Sequence, residues 1–378
     1  MLEFLKKIFK IIFFGILFLF LVIFNFKFSN KIYHFEVRDK FIDFQLLENL
    51  IDQNIERWLF QIFLVGLPDD LNSDDWEKLN HYKFAGFIFY KRNFKSPEEL
   101  KNLIINLQKT NGQDTFFLID EEIGGVSRLN LFSYLKKTPL IDNFSIDKFL
   151  ENRIKNDLMF IKSLKINFIS SPLIDWPYES QSKGRVTLFN SPQALFDFNK
   201  KILKWCQELK IFTALKHYPN LGFCSVDIHN EVCSLNFDLF NHEWHQEFLN
   251  SINQTAKFIM LSHIKVKNDH LPFSLSSEGK KRLLDEFKRK NVKFNGLFLT
   301  DDISAMRALK NIPPTERIIL AIKAKNMILW SHDFRNLLDL RENIVQNIKK
   351  EKLRKDVYNF YKQVREFKEK NFSFFKEN

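Results

Sequence analysis

Gly296–Asp301 reads GLFLTD, an apolar run that stops on an aspartate and is followed at once by a second, Asp302. A short run with no polar alternation suits a strand covered on both faces, as in a parallel sheet flanked by helices. Seven further stretches have the same form: Gln61–Gly66 (QIFLVG), Ala85–Tyr90 (AGFIFY), Thr115–Asp120 (TFFLID), Asn167–Ser171 (NFISS), Thr213–His217 (TALKH), Phe258–His263 (FIMLSH) and Met327–Ser331 (MILWS). Helical patterns lie between them. Ser96-Pro97-Glu98-Glu99 supplies an N-cap, a first-turn proline and a capping-box glutamate ahead of LKNLIINLQK. Others cover Ile146–Leu164, Pro192–Leu209, His242–Ile252, Glu278–Lys290, Thr315–Ala324 and Phe334–Lys349. Strand and helix alternate with no internal repeat and no long Pro- or Gly-rich linker, which predicts an α/β chain folded as a single (β/α)8 TIM barrel. An open doubly wound sheet is the alternative, but no G-x-G-x-x-G follows the first run.

The composition is that of a folded protein, with 45% hydrophobic and 27% charged residues in 378. The 44 phenylalanines stand where Leu, Val and Ala are usual, a compositional bias and not a binding feature. The formal charge of +11 favours anionic surroundings. The lysines are spread among acidic residues, however, and no nucleic-acid-binding signature is present, so no nucleic-acid partner is expected.

Residues 1–30 differ from the rest. A basic start (Lys6, Lys7, Lys10) precedes the apolar stretch Ile11–Phe24, and Ile8–Phe28 extends it to a membrane-spanning length if Lys10 and Lys27 snorkel. With no small-residue cleavage pattern after it, the segment reads as an uncleaved signal anchor, with a cleaved signal peptide as the alternative. Residues 31–57 then connect to a barrel over 58–378, which the leader would place on the extracytoplasmic, periplasmic side of a membrane. The three cysteines, Cys206, Cys224 and Cys233, lack metal-ligand spacing. In an exported domain Cys224 and Cys233 could bridge; three unpaired thiols are the alternative.

Barrel active sites form at the C-terminal ends of the strands. Asp120 ends the third run, Lys216 and His217 the fifth, His263 the sixth, and Asp301 with Asp302 the seventh. The fifth leads into KHYPNLGFCSVDIH, Lys216–His229, with Asp227 two residues before His229. No G-x-S-x-G elbow and no metal-ligand histidine pair occurs, so acyl transfer through that elbow and zinc hydrolysis lose support. A strand-end aspartate can act as a nucleophile. A histidine beside a carboxylate can act as general acid/base, and neighbouring charged groups can bind a hydroxylated substrate. Retaining glycoside cleavage needs a nucleophile and an acid/base, usually two carboxylates; here His229 would replace one.

In order, VGLPDD, AGFIFYKRNFKSPEEL, FLIDEEIGGVSRL, INFISSPLID, ALKHYPNLGFCSVDIH, FIMLSHI and GLFLTDDISAM resemble the blocks of the glycoside hydrolase family 3 β-N-acetylglucosaminidases that trim cell-wall muropeptides. The resemblance runs from about Trp58 to Trp330. It implies Asp301 as catalytic nucleophile with Asp302 structural, and His229 as acid/base with Asp227 as its partner. Lys216, His217, Asp120 and Arg128 would bind the sugar, as would Arg185, which aligns only with a one-residue insertion. It implies no metal and no cofactor. The substrate would be a muropeptide or glycan carrying terminal β-linked N-acetylglucosamine, and the membrane would be met through the N-terminal helix. A family β-glucosidase, a phosphorylase and a degenerate, membrane-tethered wall-binding protein are the other readings. Two departures bear on them. Asn220-Leu221 stands where the family has Gly-His, and Ile123 and Gly125 stand where Gly and Arg are usual.

Overall fold

A computed structural model describes residues 54–132, 134–135, 148–178, 189–228, 230–252 and 256–373. Eight strands run through it: β1 (Phe63–Gly66), β2 (Gly86–Phe89), β3 (Phe116–Ile119), β4 (Phe168–Ile169), β5 (Phe212–Tyr218), β6 (Phe258–Leu261), β7 (Leu297–Thr300) and β8 (Ile328–Asp333). They pair in parallel in the order β7-β6-β5-β4-β3-β2-β1-β8. The edge strands meet where the Met327 N–H donates to the Phe298 carbonyl at 2.8 Å and the Thr300 N–H to the Met327 carbonyl at 2.9 Å. The sheet therefore curls into a barrel and leaves little open edge.

Helices follow the strands on the outside: α1 (Ser73–Tyr82), α2 (Pro97–Asn111), α3 (Lys148–Ser163), α4 (Pro192–Glu208), α5 (Glu243–Ser251), α6 (Ser277–Arg289), α7 (Pro314–Lys323) and α8 (Phe334–Asp339), then α9 (Arg341–Lys350) and α10 (Arg354–Ser373). The Ser96 hydroxyl caps α2 by accepting the Glu99 N–H at 3.2 Å. Two helical features differ from expectation. Helix α1 was not anticipated, because only Asp75 and Leu79 of its residues are buried, too few to set up an apolar period. Its real signal is a capping box, in which Asn72 Oδ1 accepts the Asp75 N–H at 3.0 Å and Asp75 Oδ2 accepts the Asn72 N–H at 2.8 Å. The predicted single helix over Phe334–Lys349 is broken at Leu340 into α8 and α9, at a bend that neither Gly nor Pro announces.

The phenylalanines have a specific place. Phe116, Phe168, Phe212 and Phe258 are the first residues of β3, β4, β5 and β6, so their rings share the N-terminal end of the barrel. Phe168 lies 4.5 Å from Phe258, and Phe116 lies 5.1 Å from Phe212, between ring centroids. Helix α10 closes this floor from below, with Phe372 at 5.2 Å from Phe116 and Phe367 at 5.3 Å from Phe258. Each such ring contributes on the order of 1.5–3 kcal/mol by burial. The floor is a stability element, and it leaves the opposite, C-terminal rim for chemistry.

Among the described residues no helix is long and apolar enough to cross a membrane. The expected anchor over residues 1–30 and most of the connecting segment over 31–57 lie outside them.

Candidate active site

On the rim, three neighbouring strands supply a clamp of paired charges. Lys216 of β5 is buried, and its Nζ lies 2.8 Å from Asp120 Oδ1, 2.6 Å from Glu122 Oε1 and 3.2 Å from the Ser170 hydroxyl. Asp120 Oδ1 also accepts from Ser170 at 2.6 Å, and its Oδ2 accepts from Arg128 Nη2 at 2.9 Å. Burial alone would raise the Asp120 carboxyl, but Lys216, Ser170 and Arg128 outweigh it and hold the group well below the usual carboxylate range. Burial likewise opposes the Lys216 charge, and Asp120 with Glu122 reverses that, leaving the ammonium above its ordinary pKa. The clamp is thus ionised and fixed before any substrate arrives.

The loop after β3 is folded around a buried acid. Glu121 accepts the N–H groups of Arg128 and Leu129, both at 2.8 Å, and the Ser127 hydroxyl. Those bonds aim Arg128 back at Asp120, with its guanidinium 5.2 Å from the centre of the Tyr90 ring. Gly125 fits the same loop for a steric reason. A Cβ there would stand 1.9 Å from Glu122 Oε2, which also accepts the Val126 N–H at 2.5 Å while its partner oxygen holds Lys216. Ile123 is buried, and its N–H donates to the Ser171 hydroxyl at 3.2 Å.

His217 connects this clamp to β7. The peptide between Lys216 and His217 is cis. His217 Nδ1 lies 2.8 Å from Asp175 Oδ2, and Nε2 lies 3.7 Å from Asp301 Oδ2. Asp301 is 8% exposed and its Oδ1 accepts the Asp302 N–H at 2.8 Å. Burial works to raise the Asp301 carboxyl, yet attraction from His217 and His263 and the Asp302 N–H outweigh it, so the group sits below its ordinary value. That is the state a nucleophile requires: ionised, desolvated and aimed by its neighbours.

The turn bearing Asp301 is tied down from several sides. Asp302 Oδ1 accepts the Ser304 N–H at 2.9 Å and the Ser331 N–H at 3.0 Å, which makes Asp302 the organiser of the turn. His263 of the β6 end is buried, with Nε2 at 2.8 Å from the Asp302 carbonyl and Nδ1 at 2.7 Å from the Ser274 hydroxyl. Burial lowers its pKa, and in the neutral form Nε2–H donates to that carbonyl. Arg317 of α7 donates to the carbonyls of Ile303, Leu309 and Ile312 at 2.7–2.9 Å, holding the rest of the loop.

After β5 the chain turns through Asn220–Gly222 and is then closed by a disulfide between Cys224 and Cys233, with Cα atoms 5.9 Å apart. This decides between the two alternatives for the thiols; Cys206 is free and buried. Asp227 lies inside the closed loop, and its Oδ2 accepts from Asn230 Nδ2 at 2.8 Å. His229 and Arg185 lie outside the described residues. The structure therefore gathers Asp120, Arg128, Lys216, His217 and Asp301, and sets Asp227 on the bridged loop. Sequence reasoning gave no role to Glu122, Ser170 and Asp175, although each stands at or just beyond a strand end. Among the described residues no group of three or more His, Cys, Asp or Glu is placed to hold a metal ion. A cleft of about 640 Å³ opens beside Tyr90 between the loops after β1 and β2 and the C-terminal end of β8, bounded by Asp69, Arg92, Ser331 and His332.

A buried, ionised strand-end aspartate beside a fixed clamp of opposite charges, on the C-terminal rim of a parallel barrel, defines a hydrolase for polyhydroxylated substrates. Residues 48–360 match the glycosyl hydrolase family 3 N terminal domain, and the chain belongs to that family of glycoside hydrolases. It is 24% identical over 306 residues to a beta-hexosaminidase of Methylobacillus flagellatus, covering 76% of this chain and 84% of that one. The beta-N-acetylglucosaminidase of Thermotoga maritima has a similar fold, with a TM-score of 0.66 and 20% identity over 82% of this chain and 67% of that one. So has a fungal multi-domain family 3 beta-N-acetylglucosaminidase, with a TM-score of 0.70 and 16% identity over 83% of this chain. The chain spans only 39% of that larger protein. At such identities the structural likeness speaks for the fold alone.

Proposed function

We propose that this protein is a retaining exo-β-N-acetylglucosaminidase that releases terminal β-linked N-acetylglucosamine from cell-wall fragments. The observation that carries this reading is the Asp301 carboxylate, held ionised at the end of β7 and faced by His217, with the Lys216–Asp120–Arg128 clamp alongside. Asp301 attacks the anomeric carbon while the bond to the leaving oxygen breaks, and His229 gives that oxygen its proton. Water then attacks the same carbon, loses a proton to His229, and frees Asp301. Asp227 orients and polarises the imidazole. Asp120, Lys216, His217 and Arg128, with Arg185, hold the sugar hydroxyls by charge-assisted hydrogen bonds. No metal or organic cofactor enters these steps.

Hydrolysis of 4-nitrophenyl N-acetyl-β-D-glucosaminide tests the reading. Asp301→Ala should abolish turnover, a loss of at least about 10³-fold for a group that forms the covalent bond. Near-wild-type rates in that variant would sink the assignment. Running the assay with and without phosphate, and on the matching glucoside, separates hydrolysis from phosphorolysis and from glucosidase action.

The same proposal includes a membrane anchor over residues 1–30 and an extracytoplasmic barrel. The apolar leader supports the first, and the Cys224–Cys233 bridge supports the second, since such bonds persist in oxidising compartments. Recovery of the full chain in the soluble fraction after cell breakage would refute the anchor.

A further inference from the structure

The turn after β5, Asn220–Gly222, is built into the fold by one side chain. Asn220 is fully buried. Its side-chain amide faces the backbone of Trp176 as one strand residue faces another: Oδ1 accepts the Trp176 N–H at 2.9 Å, and Nδ2 donates to the Trp176 carbonyl at 2.8 Å. The same Oδ1 accepts the Gly222 N–H at 2.8 Å. The fit is close, because a Cβ on Gly222 would stand 1.8 Å from the Trp176 carbonyl oxygen. On either side of this lock the chain grips one carboxylate. Asp175 Oδ1 accepts the Leu221 N–H at 2.9 Å, and Asp175 Oδ2 holds His217 Nδ1 at 2.8 Å.

We infer that Asn220 is a positioning residue: by locking the 220–222 turn to Trp176 it fixes Asp175 against His217, and so sets the imidazole that faces Asp301. The inference rests on the reading of Asp301 as nucleophile. A glycine at 220 has no side chain for any of the three hydrogen bonds, and it leaves the Trp176 N–H and carbonyl without the amide that satisfies them here. The Leu221 N–H is then no longer held at Asp175 Oδ1, which also accepts the His217 N–H at the longer distance of 3.3 Å, and the carboxylate is held less firmly against the imidazole. Asp301 registers the change. It faces His217 and Lys216 from β5, His263 from β6 and Asp302 from its own turn, and attraction from His217 is the largest influence opposing its burial. An imidazole that swings away lets the Asp301 pKa rise, which moves the acid limb of kcat/KM to higher pH.

Wild type, Asn220→Gly, Asn220→Asp and Asp301→Ala are compared on the nitrophenyl glycoside across pH, with thermal unfolding of each. Asn220→Gly should lower kcat/KM about tenfold and shift the acid limb upward by about half a unit or more, the scale on which one neighbouring charge acts. Asn220→Asp, which puts an acceptor oxygen in place of the Nδ2 donor 2.8 Å from the Trp176 carbonyl, should change both in the same direction. Unchanged kcat/KM and pH limb in Asn220→Gly overturns the inference, and so does lost activity without any pH shift. If Asn220→Gly fails to fold, the His217 imidazole N–H in ¹⁵N-histidine spectra of Asn220→Asp decides, and an unmoved resonance refutes the role. The spectra decide equally if wild type proves inactive on this substrate, an outcome that counts against the proposed activity and not against the lock.

Discussion

Lys216 and Lys368 are buried alike, at 4% and 5% exposure, at opposite ends of one barrel, and their ionisation is pushed in opposite directions. On the rim, burial of Lys216 is overcome by Asp120 and Glu122, and the ammonium is stabilised. At the floor, Lys368 of α10 donates to the Ala85 carbonyl at 2.9 Å with the Phe116 ring 5.1 Å away, and burial pushes it down to about 8. Burial therefore does not decide what a charge does; its partners do. The rim has invested its polar groups in a fixed, ionised clamp, whereas the floor is held by phenylalanines packed mostly edge to face and merely tolerates its lysine.

The largest test of that contrast is Lys216→Met, which leaves Asp120 and Glu122 buried without their shared cation. It should remove detectable hydrolysis and cost about 3–5 kcal/mol in urea unfolding, as when one partner of a buried pair is deleted. Wild-type stability in this variant would break the comparison. Next comes Phe116→Ala, which opens a cavity among Phe168, Phe212, Phe258 and Phe372 at the floor. Stability should fall by about 3–5 kcal/mol while kcat of the folded fraction changes less than about twofold, because the rings lie at the far end of the barrel.

The smallest and sharpest test is Lys368→Met. A lysine lowered from 10.5 to about 8 carries a penalty near 3 kcal/mol at pH 7, less about 1 kcal/mol for the hydrogen bond to Ala85, so the variant should gain about 2 kcal/mol. The sign follows from linkage. Between about pH 8 and 10.5 the unfolded chain binds the proton that folded Lys368 has released, so wild-type stability rises with pH across that window. The advantage of Lys368→Met should shrink over the same range. An advantage independent of pH would show that the lysine is not strained by its burial.

The two ends of the barrel also differ in how far they could be read from sequence. Six strand-end residues were legible because a parallel strand must leave the core at its C-terminal end, so GLFLTD and TFFLID each finish on the acid that the rim uses. The floor was not legible as such, since Phe116, Phe168, Phe212 and Phe258 look like ordinary members of apolar runs. Only their common position, one at the start of each of four adjacent strands, gives them a shared role. Helix α1 escaped notice because only Asp75 and Leu79 of it are buried, and Asp75 is held there by Arg335, 260 residues away, as well as by its cap with Asn72.

By itself the sequence determined the alternation of strand and helix, and hence the barrel, because hydrophobic periodicity and caps are local properties of a few residues. It also carried the order of the family's blocks and with it the candidates at Asp301, His229 and Lys216. Tertiary structure alone decided which charges face one another: Lys216 meets Asp120 across 96 residues, His217 meets Asp175 across 42, and His263 meets the Asp302 carbonyl across 39. It decided, too, that Cys224 pairs with Cys233 and that Asn220 binds Trp176. The physical reason is one of range. A strand or a helix is specified within about a dozen residues, but an ionised group in a low-dielectric interior takes its state from whichever partners the closed barrel brings within a few ångströms.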